Sequence, residues 1–294
     1  MNDNIPELPK PELSFEFFPP RSSTTREQLT SVYESLSVFN PQFVSVTFGA
    51  LGSTQDGTYE TVKQLQAAGA RVVPHITGIG GNKIQMKELL SSYLSLGVDR
   101  FVVLRGDLPD GHNDSGEFPY AEQLVEFIRS EFGSELHLEV AAYPEMHPES
   151  NDPKSELAFF KSKFDAGASS AITQYFYNAD SYSNFVREAE RLGINAPIVP
   201  GVMPIVSYEM MTRFAKRCGA EIPRWLDSRL GQYREDTAAF TEFATEVVTQ
   251  LCRDLLDRGV PGLHFYTLNK AEPVAEICRR LGLERSQNLN QQIA

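Results

Sequence analysis

The stretch Leu13-Ser14-Phe15-Glu16-Phe17-Phe18, residues 13–18, is a short apolar run that carries one carboxylate. Successive residues of a β-strand point to opposite faces. The run therefore predicts a strand with one fully apolar face and a second face that carries Ser14, Glu16 and Phe18. The apolar face suits packing beneath helices, and the mixed face would point into the interior of a barrel.

Seven further runs of this kind follow, and amphipathic segments separate them. Thr24 and Asn82 mark the expected starts of the first and third helices. Eight strand–helix alternations in one chain of 294 residues predict parallel βαβ units closed into a (β/α)8 TIM barrel. The stretch 203–261 is too long for one helix, so extra helices are expected between strands seven and eight. The seven runs are 43–48, 71–76, 100–105, 136–143, 170–177, 196–202 and 262–268.

Composition and charge restrict the class of protein. We expect residues 1–12, which are polar and proline-rich, to form a flexible arm, and residues 13–294 to form a single catalytic barrel domain. The net charge of −12 argues against a nucleic-acid partner. No apolar run reaches the roughly 18 residues of a membrane helix. Three scattered cysteines favour the reducing cytoplasm over a disulfide framework.

Polar residues recur where the predicted strands end, which is the face on which barrel enzymes carry their active sites. Glu16 is the most telling of them, because burial among phenylalanines favours the protonated form of a carboxyl group, as a general acid requires. Each of these residues alone could be a buried polar group with an ordinary partner, but together they predict a lined pocket. The others are Thr47, His75, Arg105, Asp107, Tyr143 and Gln174.

The tripeptide Arg105-Gly106-Asp107 has two interpretations. As a cell-adhesion signal it would need an exposed extracellular loop, which the composition opposes. In a barrel, Gly106 lets the backbone approach a ligand, and Arg105 can bind phosphate. The dispersed histidines and the absence of H-E-x-x-H give no support for a metal site, and the absence of G-x-G-x-x-G means that any dinucleotide binds without a Rossmann unit.

Several motifs together resemble the single-domain bacterial type of the methylenetetrahydrofolate reductase family. They occur in family order between residue 13 and about residue 283, and their combination is highly specific. The motifs are SFEFFPP (14–20), SVTFGA (45–50), LRGDLP (104–109), AAYPEMHP (141–148), DAGA (165–168), ITQYF (172–176), PGVMP (200–204) and FYTLN (265–269).

The resemblance implies a barrel that binds FAD non-covalently. NADH or NADPH would reduce the flavin and leave, and 5,10-methylenetetrahydrofolate would then take its place and be reduced to 5-methyltetrahydrofolate, which supplies methyl groups for methionine synthesis. The resemblance also implies a homo-oligomer. The rival enzymes are another barrel flavoprotein and a folate-dependent methyltransferase barrel.

Roles follow by matching position. Glu16 resembles the general acid that opens the folate ring, and Asp107 resembles the residue whose charge favours the resulting cation. Substrate-binding positions are Thr47, Asp107, Gln174, Tyr208 and Lys270. FAD-binding positions are Phe48, Ala50, His75, Arg105, Gly106, Asp107, Ala121, Tyr143, His147, Ser150, Glu156, Phe159, Ser162 and Lys163.

Several of these positions depart from the family pattern. Glu156 stands where the bacterial relatives have Asp, and Ser150, Phe159 and Ser162 differ in type. Tyr208 replaces a Phe that stacks on the substrate, so stacking should survive with an added hydroxyl. Lys270 replaces an Arg that meets the glutamate tail of folate. At Lys270 the positive charge remains, but the bidentate fork is lost.

Overall fold

The computed structural model describes residues 11–20, 22–48, 55–106 and 116–284. Strands and helices alternate along these ranges. The elements are β1 (Glu12–Phe17), α1 (Ser23–Ser37), β2 (Phe43–Val46), α2 (Gln55–Ala67), β3 (Val72–Thr77), α3 (Lys83–Ser95), β4 (Arg100–Leu104), α4 (Ala121–Phe132), β5 (His137–Ala142), α5 (Pro153–Asp165), β6 (Ser170–Thr173), α6 (Ala179–Arg191), β7 (Ile198–Val199), β8 (Gly201–Val202), α7 (Tyr208–Cys218), α8 (Arg224–Gln232), α9 (Thr237–Asp257), β9 (Gly262–Tyr266) and α10 (Ala271–Arg280).

The strands pair in parallel in the order β7-β6-β5-β4-β3-β2-β1-β9-β8. The short strands β7 and β8 flank Pro200, which has no N–H to donate and so interrupts the ladder. The two pieces together act as one barrel strand, because β7 pairs with β6 and β8 pairs with β9. The split strand occupies the seventh of eight strand positions along the chain and closes the barrel between β6 and β9, which confirms the predicted (β/α)8 fold.

Gly201 is required where the barrel closes. A Cβ atom built on Gly201 would lie 2.1 Å from the backbone oxygen of Thr173 and 2.7 Å from the ring of Tyr266. Tyr266 Oη donates a hydrogen bond of 2.7 Å to that same Thr173 oxygen. A glycine therefore lets the split strand pass close enough for its neighbours to bond across it.

The predicted alternation of faces is confirmed. Phe15 and Phe17 are fully buried in the layer between the barrel and its helices. A separate, smaller apolar cluster fills the barrel interior, and its members come from β2, β3, β4 and β6. They are Phe43, Val73, Val102 and Ile172. The face of β1 that carries Ser14 and Glu16 points to this interior, where polar side chains surround the apolar cluster.

A polar network occupies the barrel interior at the amino ends of the strands. The Arg100 guanidinium pairs with the fully buried Glu139 carboxylate and donates to Gln42. It also lies over the ring of Phe43, 4.1 Å from the ring centroid. Ser170 Oγ donates to Glu139 at 3.1 Å. These contacts join β4, β5 and β6, and they compensate the charge that the carboxylate brings into the interior.

Three helices, α7, α8 and α9, lie between β8 and β9, which confirms the expected insertion.

Of the two helix starts that the sequence predicts, the structure confirms one. Asn82 caps α3 as expected, but Ser22 caps α1, so the expected start at Thr24 is wrong. The capping box of Ser22 and Thr25 satisfies the backbone of the first turn, which moves the start two residues upstream.

Strand β1 begins at Glu12, a residue that the sequence placed in the arm. Of the helices that the structure describes, none is long and apolar enough to cross a membrane.

Candidate active site

The carboxyl ends of the barrel strands bring together side chains that are far apart in the sequence. Glu16 lies in β1 and His75 in β3, and Tyr266 is the last residue of β9. Because all strand pairs are parallel, these ends meet at one mouth of the barrel. Four further sequence-predicted residues directly follow their strands at this mouth: Thr47, Arg105, Tyr143 and Gln174.

Glu16 stands between two imidazole rings. Its Oε2 lies 3.4 Å from His75 Nε2 and 3.7 Å from His264 Nε2. The Glu16 side chain is 20% exposed, whereas those of His75 and His264 are 7% and 0% exposed. The carboxyl group can therefore reach the barrel mouth while its inner oxygen faces two buried nitrogens. This arrangement places one carboxyl group between the barrel mouth and two buried ring nitrogens.

Burial controls the charge of His75. It lowers the pKa of the imidazole from its ordinary value of 6.5, and the nearby Glu16 carboxylate opposes this shift with a smaller effect. His75 is therefore a neutral side chain at neutral pH. Its Nε2 has no hydrogen-bond partner among the residues that the structure describes. Thr47 Oγ1, at the adjacent strand end, is buried and equally without a partner there.

Arg105 and Gly106 follow β4. The Arg105 guanidinium forms a bidentate pair with Glu149, with Nη2 2.9 Å from Oε1, and this bonding lowers the pKa of the Glu149 carboxyl. Gly106 has a φ of +89° and faces Thr77, so a Cβ atom at this position would lie 2.9 Å from the Thr77 side chain. The strand end thus leaves little room beside Gly106, and the Arg105 guanidinium donates two parallel hydrogen bonds to a carboxylate, the geometry in which arginine binds oxyanions.

The loop after β5 and helix α5 form one unit. Glu156, buried in the first turn of α5, accepts hydrogen bonds from the backbone N–H of His147 and from Ser150 Oγ. The ring of His147 lies edge-on to that of Tyr143, with centroids 4.7 Å apart. Glu156 therefore fixes the loop that carries His147, and that loop places His147 against Tyr143.

Helix α5 also presents a cation and an aromatic ring. Lys163 donates to the backbone oxygen of Ala141 at 2.8 Å, and burial lowers the pKa of its ammonium group. Its Nζ lies 5.8 Å from the ring centroid of Tyr143. Phe159, one turn earlier on the helix, is 50% exposed. Ser162 Oγ donates back to the Phe159 carbonyl, so its hydroxyl is used within the helix.

The remaining sequence-predicted residues lie around this mouth or beyond it. Tyr208 begins α7 and donates to Asp227 at 2.7 Å, which raises the pKa of the phenol. Lys270 is exposed at the start of α10, and Ala121 is buried at the start of α4. Gln174 turns its Oε1 back to its own loop, where it accepts from the Tyr175 N–H.

Three sequence-predicted residues have little or no structural description. Ala50 and Asp107 lie outside the described residues. Phe48 is half-buried, two residues after β2 and at the end of a described range. Among the ranges that the structure does describe, no three His, Cys, Asp or Glu residues form a group that could hold a metal ion.

A comparison with protein families decides what kind of barrel this is. The sequence model for methylenetetrahydrofolate reductase matches residues 2–282.

The chain belongs to the methylenetetrahydrofolate reductase family.

Curated relatives agree with this assignment. The chain is 36% identical to 5,10-methylenetetrahydrofolate reductase of Pectobacterium carotovorum subsp. carotovorum, over 96% of this chain and 94% of that protein. It is 34% identical to the enzyme of the same name from Escherichia coli (strain K12), over 92% of this chain and 90% of that protein. These similarities confirm the family resemblance on which the sequence-based prediction rested, and family membership supports reduction of methylenetetrahydrofolate.

A solved structure supports the fold. The barrel resembles that of an uncharacterized protein from Clostridium thermocellum that binds two copies of 5-methyl-5,6,7,8-tetrahydrofolic acid. The TM-score is 0.64 at 18% sequence identity, and the match covers 92% of this chain and 93% of that chain. At this level of identity the similarity concerns the barrel architecture alone.

Sequence reasoning assigned no role to His264, Tyr266 or Glu149, which the structure places in the site. In the sequence, His264 is one of five dispersed histidines. The period-two alternation of its strand is a usable signal, because it places His264 and Tyr266 on one face; the structure then pairs these two residues with Ser14 and Glu16. No local pattern marks Glu149, whose contact with Arg105 joins residues 44 positions apart.

Proposed function

We propose that the protein reduces 5,10-methylenetetrahydrofolate to 5-methyltetrahydrofolate with NADH or NADPH as the hydride source. FAD bound without a covalent tether would carry the hydride in two half-reactions that use the same site in turn. The observation that carries the proposal is the Glu16 carboxyl group at the barrel mouth, between two buried imidazoles, in a chain of this family.

The residues at the mouth fit FAD. The guanidinium of Arg105 suits a pyrophosphate, and Gly106 permits close approach of the backbone. Phe159 offers an exposed aromatic ring on the helix that also carries Lys163. When bound, FAD would supply the acceptance and donation of a hydride, which no protein side chain provides.

Glu16 would act on the folate substrate. The bridging carbon of 5,10-methylenetetrahydrofolate is held by two nitrogens, and an amine leaves poorly unless it is protonated. A carboxylic acid at the barrel mouth can give that proton. Neutral His75 beside it can accept or donate a hydrogen bond without adding a charge that competes with Glu16. Asp107, outside the described residues, stays the predicted residue for favouring the cation that forms.

Other residues would position the two substrates. Gln174 and Thr47 stand at the mouth, where nicotinamide and pterin would bind in turn. Tyr208 would stack on the folate, and the Arg234 guanidinium lies over the Tyr208 ring, 4.5 Å from its centroid. Lys270 is exposed, so its ammonium group is free to meet a carboxylate of the glutamate tail. A cytoplasmic homo-oligomer that supplies methyl groups for methionine synthesis completes the proposal.

One preparation tests the proposal. The purified protein should be yellow, and denaturation should release one FAD per chain. Anaerobic mixing with NADH or NADPH should bleach the flavin, and methylenetetrahydrofolate should restore its colour with formation of 5-methyltetrahydrofolate. Release of FMN would favour another barrel flavoprotein. A protein that takes up no flavin from excess FAD would contradict the proposal and favour a folate-dependent methyltransferase barrel.

A further inference from the structure

The interior of the barrel holds a side chain that the proposed reaction has not yet used. We propose that His264, oriented by Ser14, is the positioning residue for Glu16, with its Nε2–H directed at the carboxylate that forms when Glu16 gives its proton to the folate. This inference rests on the proposed function, because it assigns a role to His264 only if Glu16 acts as the acid.

The contacts of His264 are the first argument. Its ring is fully buried, and Nδ1 lies 2.7 Å from Ser14 Oγ. The ring of Phe43 stacks on it, with centroids 6.1 Å apart, and the ring of Tyr266 meets it edge-on at 5.4 Å. Three neighbours thus fix the plane of the imidazole, and the plane determines where Nε2 points.

The second argument is a buried nitrogen without a partner. His264 Nε2 has no hydrogen-bond partner among the described residues, although such groups in protein interiors are almost always bonded. The nearest carboxylate oxygen is Glu16 Oε2, 3.7 Å away, which is too far for a hydrogen bond in this geometry. Catalytic hydrogen bonds are often long before substrate binds and shorten in the complex. The nitrogen is therefore placed to bond when the carboxylate forms.

The chemistry of the imidazole fits this role. The hydroxyl of Ser14 can donate to Nδ1, which leaves the ring proton on Nε2. In the folate half-reaction the proton of Glu16 goes to the ring amine, the electron pair of the breaking C–N bond stays on that nitrogen, and Glu16 gains the negative charge. An Nε2–H directed at this oxygen stabilises the charge without giving up its own proton.

Other groups also face Glu16, and the Ser14 variants change none of them. His75 Nε2 lies 3.4 Å from the same oxygen, and burial lowers the pKa of its ring, so it can add a hydrogen bond but no positive charge. Burial raises the pKa of Tyr266 well above its ordinary value, and its hydroxyl already donates to a backbone oxygen. The charge of Glu139 lies deeper in the barrel and is paired with Arg100. Asp107 lies outside the described residues.

The experiment compares two buried serines in the FAD-loaded enzyme. Ser14→Ala removes the hydroxyl that orients His264. Ser45→Ala is the matched control, because Ser45 is fully buried, stands opposite Glu16 in the β1–β2 register, and has no side-chain partner among the described residues. Stopped-flow absorbance follows flavin reduction by NAD(P)H and flavin reoxidation by methylenetetrahydrofolate separately, each across a range of pH.

We expect Ser14→Ala to bind FAD and to be reduced by NAD(P)H as the parent is. Its reoxidation by folate should slow about 3- to 10-fold, the effect of one lost hydrogen bond. The fall of that rate at high pH should move to higher pH, because a carboxylate that loses a donor keeps its proton longer. Ser14→Thr should restore the parent profile, and Ser45→Ala should match the parent in both half-reactions.

Three results would overturn the inference. Ser14→Ala could behave as Ser45→Ala does, or it could slow both half-reactions equally without moving the pH profile, which is the mark of a structural role. His264→Leu, a second variant that removes both ring nitrogens, could reoxidise with folate as fast as the parent. In each case the parent is active. A parent that takes up FAD but never transfers hydride to folate would instead overturn the proposed function, and this inference with it.

Discussion

Replacement of Glu16 by Gln separates the two half-reactions most sharply. The substitution keeps the length of the side chain and its position between His75 and His264, 3.4 Å and 3.7 Å from their Nε2 atoms. A primary amide can accept hydrogen bonds from these nitrogens, but it cannot donate a proton as an acid. The variant therefore removes one chemical capacity and leaves the shape of the barrel mouth unchanged.

The size of the effect follows from the neighbours of Glu16. Loss of a general acid costs roughly 10²–10⁴-fold in rate, or about 2.7–5.4 kcal/mol of barrier at 1.36 kcal/mol per tenfold. A neighbouring acid could reduce this loss. Burial lowers the pKa of His75, however, so His75 carries no spare proton at neutral pH. We therefore expect at least a 100-fold fall in reoxidation of the flavin by methylenetetrahydrofolate.

Reduction of the flavin by NAD(P)H needs no proton from Glu16. The Glu16→Gln variant should therefore bind FAD and be bleached at nearly the parent rate, and stopped-flow absorbance measures both steps. Glu12→Gln is a suitable control, because Glu12 lies on the same strand and face as Glu16 but is exposed at the opposite end. If folate reoxidised Glu16→Gln as fast as the parent, Glu16 would not be the acid and the assignment would have to be abandoned.

Three further predictions concern binding, stability and pH. Lys270→Ala should weaken folate binding by roughly 1–3 kcal/mol and leave flavin reduction by NAD(P)H unchanged; equal losses in both half-reactions would indicate a structural role. Glu139→Gln leaves the Arg100 guanidinium buried beside a neutral amide, so urea denaturation should show a loss of about 3–5 kcal/mol in the free energy of unfolding; a loss below about 1 kcal/mol would contradict this reading of the pair. Burial lowers the pKa of His75 below its ordinary value of 6.5. As the pH falls below 6.5, His75 therefore gains a proton in the unfolded chain while it stays neutral in the folded chain, and this favours unfolding. The Tm should therefore fall in that window, and His75→Gln should reduce the fall; an equal fall in the variant would rule out His75 as the source.

The sequence alone determined the barrel and its family. Eight apolar runs at strand spacing predict eight strands because the period of two is a local property of an extended backbone. The same period assigned Phe15 and Phe17 to the outer layer and Glu16 to the interior, as the structure confirms. The length of the segment 203–261 predicted the extra helices that the structure contains there. These features need no knowledge of which residues meet across the fold.

Only the tertiary structure decided what Glu16 meets. His75 lies 59 positions and His264 lies 248 positions from Glu16 along the chain, and the parallel strand order β3-β2-β1-β9 brings both rings to its carboxyl group. The contact between Arg105 and Glu149 arises in the same way, from loops on neighbouring strands. Sequence periodicity reports the face on which a side chain lies, but the distance between two side chains depends on strand order and register, which are set by packing of the whole barrel.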